Sequence, residues 1–129
     1  SNPALADCTI AGRMTVVGDV DTVVFVGTPV LLHGMDGPER STAIGREAQR
    51  FMTRLVRVAT VTCQLNGERT YDRWVGVCYL DRLDIGAIAV SNGHALDCRH
   101  YPTARYSHLE TPAARSLIRR AGSARVGIA

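Results

Sequence analysis

Residues 9–35 are dense in Val, Ile and Thr and are interrupted twice, at "GDVD" (18–21) and "VGTP" (26–29). This pattern predicts three strands joined by short turns, a β-meander. The period then changes. After Gly45 the apolar residues are Ala48, Phe51, Met52, Leu55 and Val56, the i, i+3, i+4, i+7, i+8 stripe of an amphipathic helix over about 45–57. Arg46, Arg50, Arg54 and Arg57 fall on its other face.

Strand character returns in "VATVTCQL" and "RWVGVCYL", separated by the polar, glycine-containing "NGERTYD", which predicts a hairpin with a loop of several residues. Asp84 is placed to cap a helix over "IGAIAVSN", and Gly93 to end it. A last helix is expected from Thr111-Pro112, where threonine caps and proline takes the first helical position, to Gly122. Three strands, a helix, two strands and two helices, with the strands taken as antiparallel, is how an OB-type barrel reads, a connectivity that other small α+β folds share. No repeat, linker or low-complexity stretch divides the chain. With 129 residues, 46% of them apolar, it is expected to form a single domain with its core over about 10–122.

Charge adds one asymmetry. All 15 basic residues are arginine, against 12 acids, and from Arg99 onward six arginines (Arg99, Arg105, Arg115, Arg119, Arg120, Arg125) face one acid, Glu110. Such a tail can meet phosphate; it is equally a solvated, arginine-rich surface. The four cysteines, Cys8, Cys63, Cys78 and Cys98, lack C-x-x-C zinc spacing, which favours disulfides in an oxidising compartment, secreted or periplasmic. Cys63 and Cys78 can lie opposite each other across the hairpin; Cys63–Cys78 with Cys8–Cys98 is one of three pairings. No apolar run approaches the roughly 18–20 residues that span a membrane, so no membrane role is expected. The chain opens on Ser1-Asn2, as a processed or trimmed chain does, so any signal peptide would already have been removed.

Acidic residues cluster at turns. Asp19 and Asp21 lie in "GDVD", and Asp36-Gly37-Pro38-Glu39 follows a strand directly. Asp is favoured in turns because its side chain bonds nearby backbone N–H groups, so structural turns explain both. Yet both turns leave strands of one meander. Asp21 and Asp36 could therefore converge at one end of it and offer the hard oxygen ligands that Ca²⁺ requires.

Four blocks, "GDVDTVVF", "VLLHGMDGPE", "GREA" and "YDRWVGVCYLDRLDIG", resemble in order those of the staphylococcal nuclease-like (thermonuclease) family, whose usual forms are DGDT, RLxGIDAPE, GxxA and YGR. The resemblance covers about residues 10–122. It implies a five-stranded Greek-key OB-fold barrel with three helices, and a Ca²⁺-dependent phosphodiesterase acting on DNA or RNA with low sequence specificity. Carried over position by position, Asp21, Asp36 and the carbonyl of Gly37 match the metal ligands, and Asp19 matches a further acid near the metal. Glu39 matches the residue that handles the attacking water. Arg73 matches one of two arginines that neutralise the phosphate, and Tyr71 matches the tyrosine beside it, a substrate contact. A monomer is expected.

The sequence departs from that pattern where the second arginine should stand, five residues before Asp36; Leu31 is there instead. Losing one cationic donor at a developing anion is worth roughly 10² to 10⁵ in rate. Val20 replaces a glycine expected at positive φ, and Asp72, also replacing a glycine, puts a negative charge beside Arg73. His33, Arg40 and Arg46 are the candidates to substitute for the missing arginine. Trp74 is expected to pack in the core or at the barrel rim rather than to stack on a base. Two functions follow: a nuclease impaired at Leu31, or an inactive OB-fold module that binds nucleic acid or protein.

Overall fold

The computed structural model describes residues 9–16, 20–25, 28–57, 60–98 and 104–121. Its strands are β1 (Thr9–Gly12), β2 (Thr15–Val16), β3 (Thr22–Phe25), β4 (Thr28–Leu32), β5 (Met35–Asp36), β6 (Val61–Thr70), β7 (Arg73–Leu80), β8 (Leu83–Asp84) and β9 (Leu96–Asp97). Its α-helices are α1 (Ala43–Arg57), α2 (Ile85–Ser91) and α3 (Pro112–Ala121), with one 3₁₀ turn at Ser107–Leu109.

The main sheet runs β1-β6-β7-β4-β3-β2, with β8 beside β7, and β5 pairs with β9 in a separate ribbon. The ends of the main path, β1 and β2, are consecutive stretches of chain separated by Arg13 and Met14. The sheet therefore returns on itself through one bent segment, the OB-like arrangement of strands with three helices that the sequence led us to expect.

Three details differ from expectation. Only β2, β3 and β4 form the meander; β1 leaves it to pair with β6, from Thr9↔Gln64 to Gly12↔Val61. The pairing of β4 with β7 is parallel, because α1 carries the chain away before β6 and β7 return. Finally, "NGERTYD" is mostly strand: β6 runs on to Thr70 and turns through Tyr71 and Asp72 alone, absorbing the extra length in an irregularity between Leu65 and Arg69. Glycine and polar residues suggested a loop there, but ladder pairing to β7 outweighed local propensity.

Helix α1 buries Gly45, Ala48, Met52 and Val56 against the sheet, the predicted stripe, while Phe51 and Leu55 are half-buried. Truncating Met52 to alanine would cost about 2–5 kcal/mol. Thr42 caps α1, its hydroxyl accepting from the Gly45 N–H at 3.0 Å. Asp84 caps α2 through Gly86 and Ala87, and Gly93 ends it with φ +82°, as expected. Thr111 accepts from the Ala114 N–H at 3.1 Å and caps α3. The main core gathers Val23, Val30, Leu32, Met35, Val61 and Ile85 with the α1 stripe, and Trp74 packs on its margin as expected.

Cys63 and Cys78 are cross-strand partners joined by a disulfide, with Cα atoms 4.0 Å apart. The other expected pair involves Cys8, outside the described residues. A polar tie holds the segment before α3. Asp84 accepts from the Tyr106 hydroxyl at 2.9 Å and forms an ion pair with Arg105 at 2.9 Å, fixing the 104–109 turn to the start of α2. Burial, then the negative charge and hydrogen bond of Asp84, raise the Tyr106 pKa.

Candidate functional site

Strands β3, β4 and β7 lie side by side, with Thr22 opposite Leu31 and Leu31 opposite Val75. Directly opposed residues point to one face, and Arg73, two residues before Val75, shares it. Arg73 starts β7 immediately after the two-residue turn. Its guanidinium crosses the intervening strand β4 and donates to the Thr22 hydroxyl at 3.1 Å. Thr22 in turn donates to Asp21 Oδ1 at 3.3 Å. An arginine, a threonine and a carboxylate from elements 51 residues apart are thus chained together on this face.

Asp21 is 2% exposed, and its carbonyl accepts from the Leu32 N–H at 2.7 Å, pinning the turn before β3 to the end of β4. The chain leaving β4 then brings Asp36 and Gly37 back to that turn. A Cβ on Gly37 would overlap the Val20 side chain and approach the Asp21 backbone nitrogen to 3.9 Å. The turns bearing Asp21 and Asp36 therefore converge, as their places in the meander suggested. Val20 stands in the turn that precedes β3. It is fully buried, and its side chain fills the space that Gly37 leaves open.

Asp36 is half-buried, its backbone paired with Leu96 in the β5–β9 ribbon. Glu39 is exposed, and its position is set through its backbone. The Glu39 carbonyl accepts from the Thr42 hydroxyl at 2.7 Å and from the Thr42 N–H at 3.0 Å. A Cβ on Gly45 would collide with that carbonyl, so the glycine of "GREA" lets α1 start against the Glu39 loop.

One expected participant stands apart. Tyr71, at the hairpin tip with φ +55°, is 82% exposed. Asp19 lies outside the described residues. Asp72 does not engage Arg73, whose hydrogen bond goes to Thr22. Leu31, 2% exposed, sits between Thr22 and Val75 beneath the reach of Arg73. Of the three candidate substitutes, Arg46 does not join that chain. Arg46 donates to the Ser41 carbonyl at 2.9 Å and Arg40 is exposed, while His33 lines a cavity of about 220 Å³ with Gln64, Asn66 and Val77.

A staphylococcal nuclease homologue model matches residues 29–128. The chain belongs to this family. The match includes Asp36, Glu39 and Arg73 and starts after Asp21. A search of curated proteins found no match. Among the described residues of this nuclease homologue, no group of three or more His, Cys, Asp and Glu side chains comes together. The oxygen donors on the converged turns are two carboxylates, Asp21 and Asp36, and the Gly37 carbonyl. This donor set suits a hard divalent cation rather than a soft one.

Sequence reasoning gave Thr22 no role, although it stands in "GDVDT". Its place became visible only when β3 and β7 were set on either side of β4.

Proposed function

We propose that the chain is a phosphodiesterase acting on nucleic acid with little sequence preference, and that its activity depends on Ca²⁺ and is limited by Leu31. The observation that carries this reading is the link from Arg73 through Thr22 to the buried Asp21 carboxylate. A guanidinium held at a fixed place beside an acid turn suits a phosphodiester, whose anionic oxygens accept its N–H groups.

Asp21, Asp36 and the Gly37 carbonyl would hold the cation, with Asp19 as a further acid near it. The bound ion would polarise the phosphate and offset its charge. Glu39, solvent-facing on a loop fixed by Thr42, accepts a proton from the water that attacks phosphorus as the P–O bond to the leaving oxygen breaks. Arg73 binds the non-bridging oxygens, and Tyr71 offers its ring to the adjoining nucleotide. Leucine at position 31 supplies no second donor, which predicts slow turnover. The Cys63–Cys78 disulfide is consistent with a secreted or periplasmic setting. No helix among the described residues is long and apolar enough to cross a membrane.

The test is cleavage of an end-labelled single-stranded oligonucleotide with Ca²⁺ or with chelator, in wild type and Glu39→Gln. Calcium-dependent cleavage that drops at least a hundredfold in Glu39→Gln is expected. Absence of cleavage by wild type under all conditions overturns the catalytic reading and leaves the binding module.

A further inference from the structure

Helix α1 spends its apolar face on the core, so its orientation is fixed and its opposite face is turned to solvent. That face carries Arg46, Arg50, Arg54 and Arg57, all exposed. At 1.5 Å per residue they form a row about 16 Å long, each guanidinium roughly a helical turn from the next. The single acid on the helix is Glu47. Among the described residues the ion pairs are Arg105–Asp84 and Arg115–Glu110, so none of the four α1 arginines has a carboxylate within pairing distance. Arg13 extends the row, donating to the Arg57 carbonyl at 2.8 Å where the helix ends.

A row of like charges on a helix is destabilising by a few tenths of a kcal/mol per pair, offset in part at Arg54 and Arg57, which lie in the last turn at the negative end of the helix dipole. The row also has a direction. The first turn of α1 rests on the Glu39 carbonyl through Gly45, and Arg46 bends back to the Ser41 carbonyl. One end of the ridge therefore adjoins the loop that carries Glu39, and the other lies some three turns away.

We infer that the α1 ridge, Arg46, Arg50, Arg54 and Arg57 with Arg13, is a second nucleic-acid contact that tracks the phosphate backbone of a strand extending beyond the proposed site. It makes no base contacts, so it adds affinity in proportion to strand length and releases counterions as it does so. It rests on the proposed substrate class but not on the chemistry at Glu39.

The test is fluorescence anisotropy with a labelled 20-nucleotide single strand over a range of NaCl concentrations. The proteins are wild type, Arg50→Gln/Arg54→Gln, and a charge-matched Arg115→Gln/Arg119→Gln on α3, each checked for an unchanged Tm. The α1 variant should bind roughly tenfold more weakly at low salt, and the slope of log K against log[salt] should shrink by about 1.4, or about 0.7 for each lost contact. Cleavage of a dinucleotide should be unaltered, with KM raised only on the 20-mer. Equal weakening by the α3 variant, or an unchanged slope in the α1 variant, overturns the ridge even if wild type cleaves normally. Conversely, loss of binding in the α1 variant of a wild type that does not cleave would sustain the ridge and reject the catalytic reading.

Discussion

Arg73 reaches over the strand that carries Leu31 to donate to Thr22 at 3.1 Å, and Thr22 is bonded to the buried carboxylate of Asp21. The threonine therefore links the position of the acid turn to that of Arg73. Thr22→Val keeps the shape and removes both bonds. A hydrogen bond to a charged group is worth about 1.5–3 kcal/mol, so kcat on an oligonucleotide should fall roughly 10- to 100-fold. Thr22→Ser should recover most of it. Equal activity of valine and serine variants would show that Arg73 is positioned by something else.

Leu31 stands where the sequence resemblance places a second arginine, and it is almost fully buried. Leu31→Arg should raise phosphodiester cleavage by about a hundredfold or more if the new guanidinium joins Arg73 at the phosphate. It should also lower Tm, since a charge replaces a buried side chain. Steady-state rates and thermal melts on the same preparation read both effects. A stable variant with no gain in rate would show that an arginine there does not reach the substrate.

Val20 and Gly37 divide one space between two turns. Gly37→Ala alone should destabilise the protein by about 1–3 kcal/mol through overpacking, and Val20→Gly alone should leave a cavity at a buried position. The double variant moves the bulk to the other turn and should recover much of the loss. A denaturation cycle gives the coupling energy, expected at about 1 kcal/mol or more. Terbium luminescence, with Tb³⁺ as a calcium probe, should fall in each single variant and return in the double. Strictly additive losses would mean that the two residues do not act as a pair.

His94 stacks on Phe51, with ring centroids 4.3 Å apart. Burial lowers its pKa below 6.5, Glu47 opposes this, and Arg54 adds to it. A folded-state pKa below the unfolded one means that the unfolded chain binds the proton more readily. The stability contribution is present above about pH 6.5 and is lost as pH falls through the lowered value. Tm should decline on acidification below pH 6.5, and His94→Phe should flatten that part of the profile. Parallel profiles for the two proteins would assign the acid sensitivity to other groups.

The sequence by itself determined the local elements, because they depend on neighbouring residues. The α1 stripe, the caps at Asp84 and Thr111 and the stop at Gly93 needed no tertiary contact to be read. The order of acid turns, GREA and YDR blocks also sufficed for the family. Only the tertiary structure decided partners distant in sequence. β1 leaves the meander for β6, β4 lies parallel to β7, and "NGERTYD" becomes strand, because each choice is made by the strand alongside and not by the segment itself. The site divides the same way. Its residue types were written in the motifs, but the chain from Arg73 through Thr22 to Asp21 exists only because β4 lies between β7 and β3. Likewise, Val20 looked like a strained replacement for glycine until packing showed that Gly37 makes room for it, since two turns far apart in sequence share one volume.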